Sequence, residues 1–152
     1  MDCKVVTSSK AKSAKSLLTR FALFRLASAL CHGTVVDKEA GREVLYGLPG
    51  VFSMTITAGG QKVRLLKEAD TFRRMKSSEV SDNLLTICFN DVTALGDVVS
   101  HECTMHKALA EGRLSFTGKT SYLAVLLRAS AAGDKTLLTP EEYEELYREG
   151  EE

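Results

Sequence analysis

The sequence is short of the features that most quickly betray a function. Its four cysteines, Cys3, Cys31, Cys88 and Cys103, contain no C-x-x-C spacing, and in a chain this long an even count alone implies no disulfide framework. Cys88 lies inside an apolar run and reads as a small buried hydrophobe, so a reducing, cytoplasmic setting is expected. No apolar run is long enough to span a bilayer. The nearest, "SLLTRFALFRLASALC", is interrupted by Arg20 and Arg25 and lacks a convincing cleavage site, which argues against a secretory signal. The ending "REGEE" matches no retention or peroxisomal tripeptide. Net charge is absent too, with 20 Lys plus Arg against 20 Asp plus Glu. Nothing global therefore draws the chain to nucleic acid, and no nucleic-acid partner is expected.

What is present is a globular composition in 152 residues, 44% hydrophobic and 26% charged, enough for one domain with a proper core. The charge is polarised. No acidic residue occurs between Cys3 and Val36, whereas Lys4, Lys10, Lys12, Lys15, Arg20 and Arg25 do; Pro140 to Glu152 carries seven glutamates against Arg148. Residues 1–15 read as a disordered basic tail. Ser16 to Cys31 is helical in propensity with apolar residues on most sides, so this helix over 16–31 needs burial, a partner or a membrane surface. "HGTVVDKEAG" reads as a break, and Lys38 to Tyr46 as a helical piece stopped by "GLPG". Val51 to Thr57 alternates, with Phe52, Met54 and Ile56 on one side. "AGGQ" supplies a hairpin turn, and Lys62 to Glu68 returns as a second strand.

Further along, "ADTFRRMKSSEVSD" fits either a third strand or a loop, and Leu84 to Phe89 reads as a more fully buried strand. Asp91 should cap a helix over Val92 to Val99, and Thr104 one over "MHKALAEG" that ends at Gly112. Arg113 to Thr117 alternates as a strand, and Thr120 to Ala132 is an apolar helix stopping at Gly133. In "TPEEYEELYRE", Thr139, Pro140 and Glu142 form a capping box, with Tyr143, Leu146 and Tyr147 as the buried stripe.

Three motifs tempt a catalytic reading. "TGKT" ends like a phosphate loop, but Gly112 and Gly118 are separated by five residues rather than four, and those five alternate like a strand, which cannot wrap an anion. In "HECTMH", His101, Cys103 and His106 are metal-ligand types without a second cluster to complete four ligands. The pair Cys103 and His106 has no evident group to orient the base and no oxyanion site. "GGQ" at Gly59 to Gln61 is accounted for by the hairpin turn. No enzymatic activity, metal or cofactor is expected. The remaining feature is a set of apolar side chains from strands and helices alike: Phe52, Met54, Ile56, Phe89, Leu95, Val99, Met105, Leu109, Phe116, Leu123 and Leu127. They form either an ordinary core or the wall of an apolar cavity, and composition alone does not separate the two.

The stretch "LLTICFNDVTALGDVVSHECTMHKALAEGRLSFTGKTSYLAVLLRAS" resembles the sterol-carrier-protein family of non-specific lipid-transfer domains. The resemblance lies in the order of parts: Leu85-Thr86-Ile87 as a strand, Asp91 opening a helix, Ala108 to Leu114 as a short helix of A-x-x-x-G-[RK]-L type, Phe116 to Gly118 closing a strand, and Leu123 to Leu127 in an apolar helix. The upstream "GVFSMTIT" and "KVRLL" fit the first two strands, so the similarity covers about residues 45–130. It implies an α+β fold in which a mostly antiparallel five-stranded sheet carries helices packed on one face and encloses an apolar cavity. Residues 16–150 would then form a single domain of this kind. The implied function is lipid binding or transfer, without catalysis, of a fatty acyl, sterol-like or isoprenoid ligand, with the eleven residues above as the lipid-binding set. The alternative is a non-catalytic accessory or oligomerisation module with the cavity filled. The expected partners are a lipid ligand, a membrane surface met peripherally through residues 4–31, and a second copy through the helix 16–31.

Overall fold

A computed structural model describes the backbone of residues 2–151 and the side chains of residues 15–148. The tail expected over 1–15 lies, apart from Lys15, outside the residues whose side chains are described. The elements run α1 (Asp2–Val36), α2 (Lys38–Gly47), β1 (Ser53–Ala58), β2 (Gln61–Glu68), β3 (Thr71–Arg74), β4 (Asn83–Phe89), α3 (Val92–Val99), α4 (Met105–Ala110), β5 (Leu114–Gly118), α5 (Thr120–Leu137) and α6 (Pro140–Glu151).

The strands form one five-stranded sheet in the order β3-β2-β1-β4-β5. All neighbours are antiparallel except β1 and β4, which run parallel. β1 and β2 are joined through Gly59 and Gly60, with φ of 54° and 79°. A tight two-residue hairpin needs this left-handed backbone, which glycine adopts without penalty. The polar stretch after β2 resolves into strand and loop: Thr71–Arg74 pairs with β2, and residues 75–82 cross to β4. That crossing is held by charge. Arg73 grips Glu79 through two nitrogens at 2.8 and 2.7 Å, and Arg64 donates to the Lys76 and Glu79 carbonyls.

The period of two decides the faces. Val63, Ile56 and Ile87 align across the sheet on the buried side, as do Leu65, Met54 and Leu85. The opposite face carries the row Arg64, Thr55, Thr86 and Thr117 and the row Lys62, Thr57, Cys88 and Ser115. β4 therefore alternates instead of being buried on both sides, and Cys88 is exposed rather than buried. Helices cover only the buried face, and the polar face is left open; an antiparallel-type sheet with one wet side has this pattern.

Besides the start of α1 at Asp2, where a tail was expected over 1–15, the helices depart from the sequence reading in two places. α1 continues through His32 to Val36, so the break is confined to Asp37, whose carboxylate accepts from the Glu39 and Ala40 amides and caps α2. α5 runs four residues past Gly133 to Leu137. Gly133 is a crossing point, not a stop. A Cβ there would lie 2.6 Å from the Ala29 carbonyl oxygen, and a Cβ at Gly33 would lie 2.6 Å from the Gly133 nitrogen and 2.8 Å from the Ala129 oxygen. Two small-x-x-x-small pairs, Ala29/Gly33 and Ala129/Gly133, thus let the α1 and α5 backbones touch. The inward side of α1, with Leu23, Leu26, Ala27 and Leu30, is buried in the core.

The remaining caps follow the sequence. Asp91 accepts from the Ala94 amide, Thr104 from the Lys107 amide, and Thr139 and Glu142 exchange bonds as a capping box. One further tie has no sequence signature. Lys67, on the buried face of β2, points its ammonium at three carbonyls at the end of α2: Leu45 at 2.9 Å, Leu48 at 3.0 Å and Pro49 at 3.2 Å. Three donors meet three acceptors, and a lysine thereby closes the helix in place of a C-cap glycine.

Candidate apolar-ligand site

The eleven expected lipid-binding residues converge. Phe52, Met54, Ile56, Phe89, Leu95, Met105, Leu123 and Leu127 are buried in one continuous core between sheet and helices, and Val99, Leu109 and Phe116 pack half-buried against it. They fill that interior. Phe52 meets the Tyr122 ring edge-on at 5.4 Å and the Phe72 ring at 6.5 Å. Of the eleven, Val99 alone borders any of the cavities described below.

Mostly apolar open space lies along the outer side of α1. Phe21, Phe24, Arg25, Ser28, Ala29 and His32, with Leu137 from the end of α5, line a mostly apolar groove of about 560 Å³. The spacing 21, 25, 28, 32 puts one row of α1 along its length. A second groove of about 450 Å³ runs on the other flank, between Ser28, Cys31, His32 and Val35 of α1 and Thr71, Phe72 and Arg74 of β3. The ridge itself is apolar and bare, with Leu17, Leu18 and Phe21 each 64–70% exposed. Its flanks are cationic: Arg74 stands over the Phe24 ring at 4.5 Å and Arg20 at 5.9 Å. Sequence reading found the unsatisfied apolarity of this helix but not which side stays uncovered; that required the position of α5.

The first of these grooves borders an inner space. It shares Arg25, Ala29 and Leu137 with a narrow cavity of about 40 Å³ that reaches Leu26, Leu30, Val98 and Val99 and ends on His101, Ser130 and Asp134. That polar end is a small network. The Tyr147 hydroxyl of α6 donates to Asp134 Oδ2 at 2.6 Å, and His101 Nε2 stands 3.5 Å from Asp134 Oδ1. Burial pushes the Asp134 carboxyl above its usual range, with the Tyr147 bond and the nearby histidines pulling the other way. Burial, reinforced by Asp134, pushes the Tyr147 hydroxyl well up, so it remains a donor at any ordinary pH.

The tempting motifs resolve as structure. His101 takes a left-handed backbone, φ 64°, in the α3–α4 connection and turns to Asp134, whereas Cys103 is buried and His106 exposed. Burial raises the Cys103 thiol and lowers the His106 imidazole. Among the described residues no group of three His, Cys, Asp or Glu could hold a metal ion. In "TGKT", Gly118 is required by packing, because a Cβ would fall 2.5 Å from the Leu84 carbonyl. Lys119 lies over the Tyr122 ring at 5.6 Å, and Thr120 starts α5.

No family model matches the chain, and no curated protein matches it. Among solved structures it is similar to a UbiJ-SCP2 ubiquinone synthesis protein, at 15% identity and a TM-score of 0.48, over 79% of this chain and 96% of that one. It is also similar to domain 2 of a sterol carrier protein of Helicoverpa armigera, at 16% identity and a TM-score of 0.47, over 75% and 90% of the two chains. A conserved hypothetical protein of Thermus thermophilus, described as possibly a sterol carrier protein, gives 15% identity and a TM-score of 0.46 over 76% and 88%. These are resemblances in the arrangement of sheet and helices.

Proposed function

We propose that the protein binds and transfers an apolar chain, a fatty acyl, sterol-like or isoprenoid lipid, without catalysing a reaction. One observation carries this reading: a mostly apolar groove of about 560 Å³ lies along α1 and shares Arg25, Ala29 and Leu137 with a narrow cavity between α1, α3 and α5. Each buried methylene contributes about 0.8 kcal/mol, so a chain of roughly ten supplies about 8 kcal/mol before ordering costs. No polar motif is needed for that. In this reading the ligand starts in the groove and displaces side chains such as Val99 and Leu26 as it enters. Native mass spectrometry and organic extraction of the purified protein test it, together with titration of a fluorescent fatty acid. A protein that carries no lipid and ignores the probe contradicts it.

The filled interior favours a second reading, an accessory module whose apolar α1 surface meets a partner instead of a ligand. Of the two surfaces expected for α1, an anionic membrane is the better complement. Lys15, Arg20 and Arg25 flank the bare ridge, and no acid lies between Cys3 and Val36. Pairing α1 with α1 of a second copy would oppose cation to cation. No helix among the described residues is long and apolar enough to cross a membrane, so the contact proposed is peripheral. A cytoplasmic location goes with this reading.

A further inference from the structure

We propose that α6 is a releasable flap over the small cavity between α1, α3 and α5, latched by the Tyr147 hydroxyl on the Asp134 carboxylate. Its attachment is slight for a twelve-residue helix. Among its described residues Tyr143, Leu146 and Tyr147 alone are half-buried, and the rest are exposed. A helix this short has little stability of its own, so it stays folded and docked through its contacts. Tyr143 and Tyr147 stack with ring centroids 4.4 Å apart, and of the two only Tyr147 makes a side-chain hydrogen bond to the body of the protein. The connection from α5 is Leu138 and Thr139, short enough to act as a hinge.

What the flap covers is specific. Asp134 and Ser130 are more than nine-tenths buried, and both line the inner cavity together with His101. His101 also lines a polar groove of about 370 Å³ on the outer side, with Glu102, Glu142, Glu145 and Leu146. His101 thus lines both spaces, and Tyr147 of α6 holds the Asp134 carboxylate that lines the inner one. If α6 swings away on its hinge, Asp134 gains solvent and loses its tether, and the cavity opens at the end opposite the α1 groove. The flap itself stands on this packing; its use as a second exit for a ligand rests on the lipid-binding reading above.

Hydrogen exchange of the unliganded full chain decides the latch, because no ligand is involved. A hydrogen bond to a charged group contributes about 1.5–3 kcal/mol, so Tyr147→Phe should speed exchange of the α6 amides about ten- to a hundredfold while β1 and β4 stay protected. Tyr143→Phe removes a hydroxyl from the same helix face without touching the latch and should leave α6 unchanged. Asp134→Asn keeps an acceptor for Tyr147 but loses its charge, so its α6 exchange should fall between wild type and Tyr147→Phe. Opening of the cavity is read by thiol labelling at position 130 of Ser130→Cys, which should accelerate by a similar factor when combined with Tyr147→Phe. Equal α6 exchange in wild type and Tyr147→Phe, or an equal effect of Tyr143→Phe, overturns the latch. Faster α6 exchange with unchanged labelling at position 130 overturns the cover. A chain that takes up no fluorescent fatty acid contradicts the lipid reading and leaves both of these readouts standing.

Discussion

Three side chains carry more than their positions suggest. Lys67 is buried, which lowers its pKa, yet it closes α2 by donating to three carbonyls. Lys67→Met should cost about 3 kcal/mol, since it strands buried acceptors, and lower the urea midpoint without changing the slope. Glu79 and Asp134 respond to pH with opposite signs. Arg73 holds the Glu79 carboxyl at about 2, below its ordinary 4.5. The folded chain gives up this proton more readily than the unfolded one, so the stabilisation is full above 4.5 and lost as pH falls toward 2. Wild type should lose stability faster than Glu79→Gln across that range. Asp134 is raised by burial, so the folded chain keeps its proton longer, and stability falls as pH climbs from the ordinary carboxylate range through the raised value. Urea midpoints of Asp134→Asn should therefore gain on wild type as pH rises through that window; a constant difference would contradict the burial of a charged Asp134.

At the scale of elements, the α1–α5 crossing and the outer face of α1 are the parts to test. Gly133→Ala places a Cβ 2.6 Å from the Ala29 oxygen and must push the helices apart. A loss of about 2–3 kcal/mol is expected, as for other overpacked contacts, read as a fall in melting temperature. Gly96 in α3 has nothing within 4 Å of where a Cβ would lie, so Gly96→Ala should stabilise by about 0.5–1 kcal/mol through helix propensity. The bare ridge is addressed by Phe21→Asp, which should abolish co-flotation with phosphatidylglycerol vesicles while leaving phosphatidylcholine vesicles unbound as before. Raised salt should weaken the wild-type interaction in the same assay.

At the scale of the molecule, the strands were legible because alternation reports a sheet with one wet face, as with Phe52, Met54 and Ile56 against Ser53, Thr55 and Thr57. The caps at Asp91, Thr104 and Thr139 were legible because they act within a few residues. Gly133 misled because the same residue serves a helix stop and a helix crossing, and only the approach of Ala29 distinguishes them. Cys88 misled because a continuous apolar run reads alike for one buried face or two. Lys67 and the Tyr147–Asp134 bond join residues distant in sequence, and no local pattern announces them. The eleven residues expected to bind lipid lie in or against one core, but periodicity cannot tell a packed interior from one that opens around a ligand.

That last distinction is where the functional reading is most exposed. Native mass spectrometry of the full chain, purified without added lipid and then incubated with one equivalent of a sixteen-carbon fatty acid, addresses it directly. The lipid-binding reading requires a one-to-one adduct that is lost in Leu26→Trp, where the narrow cavity is blocked. A chain that stays unliganded throughout, or an adduct that survives the blocked cavity, would contradict it.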